Sequence, residues 1–183
     1  MRLFLLCLGM AMCATWWLLQ LRKKRAIHQL FSQPDDGALL IGVCQRVYGE
    51  RGDGDGATWP EHERVAALAT DTPAIVGNGG FSFLFSSNLN SDPSYRLSLS
   101  ALEAIGAERA ALIYREALQL FPQGLAPSDL ERRREAVLSF DSAALESIDR
   151  RFFRELGDIK RLAAEYVRHN RVLFEEEWLA YKG

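Results

Sequence analysis

The sequence has few of the residues that a disulfide scaffold, a metal centre or a nucleic-acid-binding surface needs. Its 183 residues include three cysteines and three histidines, and the formal net charge is −2. So few cysteines exclude a disulfide-dense scaffold, and the slightly acidic balance excludes a basic protein that binds DNA or RNA through bulk charge. The hydrophobic fraction of 48% excludes a wholly disordered chain. The composition therefore predicts one folded domain, with or without an appendage.

Sequence motifs that bind metal ions are also missing. The loop from Asp53 to Gly56 begins like a calcium loop, but the ligand positions 5 and 12 fall on Ala57 and Arg64. None of the three histidines is followed four residues later by a second His, a Cys or a carboxylate, the spacing of a helical zinc pair; they are His28, His62 and His169. We therefore predict surface histidines and no metal site.

Motifs for nucleophilic catalysis and phosphate binding are likewise absent. There is no Gly-x-Ser-x-Gly elbow, and Asn78-Gly79-Gly80 is followed by Phe81 instead of the Lys-Ser/Thr of a P-loop. Cys44 has no adjacent histidine and is predicted to be a buried structural thiol. The sequence therefore predicts neither an enzyme nor a cofactor, although an enzyme of another type would be recognisable from a cleft of converging titratable groups.

The first residues form an apolar run that ends in a basic cluster. Nineteen uncharged residues extend from Leu3 to Leu21, with Trp16 and Trp17 near the end, and Arg22–Arg25 follow directly. A helix of that length spans roughly 28 Å, close to the thickness of a bilayer core. We predict a single transmembrane helix over residues 3–21 of an inner-membrane protein, with the C-terminal domain in the cytoplasm. A cleavable signal peptide is the main alternative, but the run is longer than usual and lacks a small-x-small site.

The remainder of the chain is mildly acidic, and its residue pattern predicts helices. Five basic residues and no acid lie in residues 1–25, which leaves 17 basic residues against 24 acids and a formal charge of −7. A clear helix carries apolar residues at the spacing i, i+3, i+4, i+7, i+8, i+11: Ala110, Ile113, Tyr114, Ala117, Leu118 and Phe121. We predict an all-α fold, with an N-terminal single transmembrane helix followed by a compact bundle. The expected divisions are an anchor over 1–25, a stalk with a short helix and a Gly/Asp loop over 26–58, and a helical domain over 59–183.

Two adjacent glycines stand before an aromatic-rich segment, where a backbone without Cβ atoms permits a close approach by another element. The sequence reads Asn78-Gly79-Gly80-Phe81, then Phe83 and Phe85, then ALEAIGA at 101–107 and ALQLFP at 117–122. These motifs, in this order, resemble the bacterial DNA-mimic protein family over about residues 60–175. We interpret the motif residues as architectural; they are Asn78, Gly79, Gly80, Phe81, Phe85 and Gly106.

The resemblance implies an all-helical fold and a non-catalytic role. In a DNA mimic, carboxylates arranged like duplex phosphates occupy the cationic face of a DNA-binding protein. The acids that lie off the apolar stripes form the candidate partner-binding face: Glu103, Glu108, Glu116, Asp141, Glu146 and Asp149. The basic runs Arg132–Arg134 and Arg150-Arg151 dilute that face and are interpreted as solvent-exposed helix surface.

The leading hypothesis is a non-enzymatic, membrane-tethered helical module that binds a protein partner and not nucleic acid itself, with DNA mimicry as one version of it. The alternative is an immunity-like or regulatory protein that neutralises a toxin or an enzyme. In that case shape and mixed charge matter more than net charge, and the complex is insensitive to salt.

Overall fold

The structure, a computed structural model, describes the backbone of residues 2–181 and the side chains of residues 17–181. Within those residues the chain forms helices and no strand, which confirms the predicted all-α class. The eight α-helices are α1 Arg2–Phe31, α2 Asp36–Arg51, α3 Glu61–Ser86, α4 Arg96–Ala104, α5 Glu108–Leu118, α6 Leu130–Leu138, α7 Ser142–His169 and α8 Arg171–Ala180.

The predicted transmembrane anchor is corrected. In the part of the chain that the structure describes, no helix combines the length and the apolar character needed to cross a membrane. Residues 3–16 of the predicted span lie outside the described side chains. The inner-membrane, single-pass localisation depended on this anchor and is corrected with it.

The second half of α1 carries the basic cluster and contacts the domain. Helix α1 continues without a break past the basic cluster Arg22–Arg25, and its last turns are docked on the domain. Ile27 and Phe31 are buried in the core, and the Lys23 ammonium donates to the carbonyl of Tyr181 at 2.7 Å. The cations therefore lie on a helix that packs against protein.

Helix α3 is the central element of the fold. It contacts α2, α4, α6 and α7, and α5 packs against α4 and α7. A cluster of aromatic rings fills the space between α3, α5 and α7, with centroid separations of 4.9–6.5 Å. Its members are Phe81, Phe85, Tyr114, Phe121 and Phe152. All five are buried, so the aromatic segment after the paired glycines forms part of the core.

An ion-pair cluster joins α2, α3 and α8. Arg51 at the end of α2 donates to Glu63 on α3 and to Glu177 on α8, each at 2.7 Å. The Trp178 indole donates to the second oxygen of Glu63 at 2.6 Å. Glu63 is fully buried, and its two donors, Arg51 and Trp178, offset the cost of burying its charge. Helices α2, α3 and α8 are therefore held as one unit.

Candidate functional site

Two of the predicted acids connect α5 to its neighbours through arginines. Glu103 on α4 pairs with Arg115 on α5, and Glu116 on α5 pairs with Arg151 on α7 at 2.6 Å. The paired groups are between 37% and 47% exposed. Hydrogen bonding to Glu116 raises the pKa of the Arg151 guanidinium above its ordinary value. The two acids thus lie in a surface of alternating charge and not in a uniformly negative one.

Helix α7 carries a further exposed acid–arginine pair. Glu146 pairs with Arg150 at 3.4 Å within the helix, and Arg150 is the sequence neighbour of Arg151. We call the set Glu103, Glu108, Glu116, Glu146, Arg115, Arg150 and Arg151 the α4–α5–α7 surface. Its formal charge is −1, because four carboxylates face three guanidinium groups.

Glu108 is the exposed acid of this surface that has no ion pair among the described residues. It is the first residue of α5, where the helix dipole stabilises a negative charge. It lines a shallow pocket of about 240 Å³ together with Glu155 and Asp158 from α7, and with Arg109 and Arg161. Glu108 is therefore exposed to a cation from outside without having to release an internal partner.

The other two predicted acids make contacts within the fold. Asp141 is the N-cap of α7, and its side chain accepts from the backbone N–H of Ala143 at 3.1 Å. Asp149 is half-buried on α7 and accepts from the backbone N–H of Phe81 at 2.8 Å. Burial raises the pKa of the Asp149 carboxyl above its ordinary value. Asp149 is therefore partly withdrawn from solvent, whereas Asp141 is exposed but serves as a helix cap.

The paired-glycine motif forms a kink in α3 beside Asp149. Gly79 and Gly80 leave helical geometry, and Gly80 has φ +72° and ψ −173°. A Cβ atom on Gly80 would lie 2.2 Å from Oδ2 of Asp149. The approach of α7 to this kink therefore requires glycine.

The remaining motif residues are divided between core and surface. Phe81 and Phe85 are fully buried, whereas Asn78 and Gly79 are exposed. Gly106 has φ +76° at the end of α4, in the left-handed conformation typical of a helix C-terminus.

Cys44 and the histidines offer no reactive group or metal centre. Burial raises the pKa of the Cys44 thiol to about 12, so the nucleophilic thiolate is scarce at neutral pH. His62 is half-buried and its ring packs edge-on against Phe174. Among the described residues, no group of three His, Cys, Asp or Glu side chains could hold a metal ion.

A comparison with protein families identifies the family of the chain. The family described as DMP19-like protein matches residues 57–170, which is more than half of the chain. The chain belongs to the DMP19-like protein family. The DMP19 family is a DNA-mimic family. The match covers α3 to α7 and both glycines of the kink, whereas α1, α2 and α8 lie outside it. No curated protein and no solved structure matches the chain.

Sequence reasoning found the acids of this DMP19-like domain but not their partners. Arg115 and Arg151 reach carboxylates that are 12 and 35 residues away along the chain. No local spacing signals such contacts, because they depend on how α4, α5 and α7 pack.

Proposed function

We propose that the chain is a non-enzymatic protein-interaction module that binds a DNA-binding protein through the α4–α5–α7 surface. One observation carries the proposal, namely that residues 57–170 match a DNA-mimic family. A DNA mimic places carboxylates where phosphates would bind, so that it competes for the cationic side chains of its partner.

The arginines of the α4–α5–α7 surface do not prevent such binding. An exposed ion pair contributes about 0–1 kcal/mol, because water screens both charges. Glu103 and Glu116 are about half exposed, and Glu146 is 68% exposed. A lysine or arginine of a partner can therefore replace the arginine that pairs with each of these glutamates at little cost. In the described part of the chain, Glu108 has no such arginine to replace.

The internal ion pairs also favour a second candidate function. Three arginines among four glutamates produce a mixed-charge surface, which suits a partner that itself carries both signs of charge. An immunity-like or regulatory protein that neutralises a toxin or an enzyme would use such a surface.

Charge reversal on the α4–α5–α7 surface tests the proposal. The full chain is used to isolate its partner from a bacterial lysate, and the dissociation constant is measured with the purified partner. Glu108→Lys and Glu116→Lys should each weaken binding about tenfold, because they place a cation opposite the partner's cations. Double-stranded DNA should displace the wild-type chain from the partner.

Glu176→Lys is the matched control, because Glu176 is an exposed acid on α8 outside this surface. It carries the same change of charge and should bind like the wild type. Unchanged binding in the two test variants, together with no displacement by DNA, would contradict the proposal.

A further inference from the structure

We propose that the groove between α2, α3 and α7 is a docking site for an amphipathic helix of a protein partner, and that this helix carries a carboxylate at one end. The inference rests on the proposed function in one respect only, since both require a protein partner. The groove lies on different residues from the α4–α5–α7 surface, so the two proposals can fail separately.

The groove has an apolar floor that runs along α3. Its volume is about 410 Å³, and its lining includes Leu40, Ile41, Pro73, Gly77 and Leu156. Ala69, Pro73 and Gly77 follow one another at intervals of four residues, so the floor extends over two turns or roughly 12 Å of helix. That length accommodates two successive anchors at i and i+4 of a docked helix.

Ile41 is the exposed apolar wall of the groove. Its neighbours Leu39, Leu40 and Val43 are buried in the core, whereas Ile41 is 57% exposed. Removing apolar surface from water is favourable, so a partner that covers the exposed part of Ile41 gains binding energy. Helix α2 lies outside the family match, and the groove is therefore not built from the matched region alone.

Lys160 supplies the one charge in the groove lining. Its ammonium lies over Gly37, 2.9 Å from the position that a Cβ atom on Gly37 would take. Of the nearby acids, Asp36 pairs with Arg168 at 2.7 Å. Asp35 Oδ1 lies 3.2 Å from the same Cβ position on Gly37 and accepts from the backbone N–H of Ala38. Within the described residues, no carboxylate lies within 4.0 Å of Lys160. An apolar groove with a cation at one end is complementary to an apolar segment with a carboxylate.

The lining also distinguishes between the conformations that a bound segment could adopt. An added strand needs a sheet edge, and the described part of the chain has no strand. A polyproline segment docks between aromatic rings, and none of the groove residues is aromatic. A helix is the remaining conformation. It fits the groove because the small residues Ala69, Ala74 and Gly77 leave room for bulky side chains from a partner.

The test uses a phage-displayed library of 16-residue peptides, selected on the full chain and counter-selected on Ile41→Glu. We expect binders with apolar residues at i and i+4 and an Asp or Glu at one end. The best synthetic peptide should bind Lys160→Glu at least about tenfold more weakly than the wild type. Replacing the peptide's acid by lysine should restore its affinity for Lys160→Glu.

Leu112→Glu is the matched control, because Leu112 is 61% exposed on α5 outside the groove, and it should leave peptide binding unchanged. The proposal is overturned if no selected peptide distinguishes the wild type from Ile41→Glu, or if the charge of the peptide does not matter. Two further results would also overturn the proposal, because each would indicate a different occupant of the groove. One is a change of oligomeric state in Ile41→Glu, which indicates a second copy, and the other is binding of decanoate in place of every peptide.

Discussion

Replacing Gly80 by alanine is expected to lower the free energy of unfolding by about 3 kcal/mol or more. At φ +72° and ψ −173° the backbone is in a region that glycine alone populates readily. The new Cβ atom would also lie 2.2 Å from Oδ2 of Asp149. Moving that carboxylate removes the hydrogen bond that holds the backbone N–H of Phe81. Urea unfolding followed by circular dichroism measures the change.

Gly77→Ala is the matched control for this substitution. Gly77 is helical, and its added Cβ atom would make an ordinary contact with Leu156 at 3.5 Å. Alanine favours a helix over glycine by about 0.8–1.0 kcal/mol, so this variant should be as stable as the wild type or more so. The double variant Gly80→Ala/Asp149→Ala removes the clash but not the backbone strain, and should remain destabilised. An unchanged stability in Gly80→Ala would contradict the role assigned to the kink.

Replacing Arg133 by methionine is expected to cost about 3 kcal/mol or more of unfolding free energy. The guanidinium of Arg133 is buried and donates to four backbone carbonyls, at distances of 2.6 to 3.3 Å. The acceptors are Phe85, Ser87, Pro127 and Ser128. Two of them lie at the C-terminal end of α3, where carbonyls lack helical partners and a cation is favoured. Methionine keeps much of the volume but leaves these carbonyls without their donor.

Arg133→Lys should restore little of this stability, because an ammonium on a flexible stem cannot reproduce the planar fork of donors. It would also lose the packing of the guanidinium over the Tyr95 ring, at 5.1 Å from the centroid. The neighbouring Arg132→Met is the control, since Arg132 is exposed, and it should change the stability by less than about 0.5 kcal/mol. Equal losses in Arg132→Met and Arg133→Met would contradict the account.

Local sequence patterns predicted the helical class well, because each helix carries its own signals. The apolar spacing that begins at Ala110 corresponds to α5. The paired glycines predicted a close backbone approach, and Gly80 receives Asp149 there. Residues close together in the sequence determine each of these features. The one part they do not determine is which residue approaches the paired glycines.

Features that depend on distant contacts could not be predicted in this way. The run Arg132–Arg134 was interpreted as exposed, but Arg133 is buried against a carbonyl 48 residues away. The spacing of apolar residues along the helix does not show which of three consecutive arginines is buried. The transmembrane prediction, which used hydropathy and length alone, was also wrong, because no helix of the described residues is long and apolar enough to cross a membrane. The arginine partners of Glu103 and Glu116 likewise depend on how α4, α5 and α7 assemble.

The salt dependence of partner binding tests the central claim most directly. If the carboxylates of the α4–α5–α7 surface replace DNA phosphates, the dissociation constant should rise at least about tenfold between roughly 50 and 200 mM salt, because ions screen exposed charges. The same titration with Glu108→Lys should give a shallower slope. A dissociation constant that does not change over this range would contradict DNA mimicry and favour recognition by shape and mixed charge.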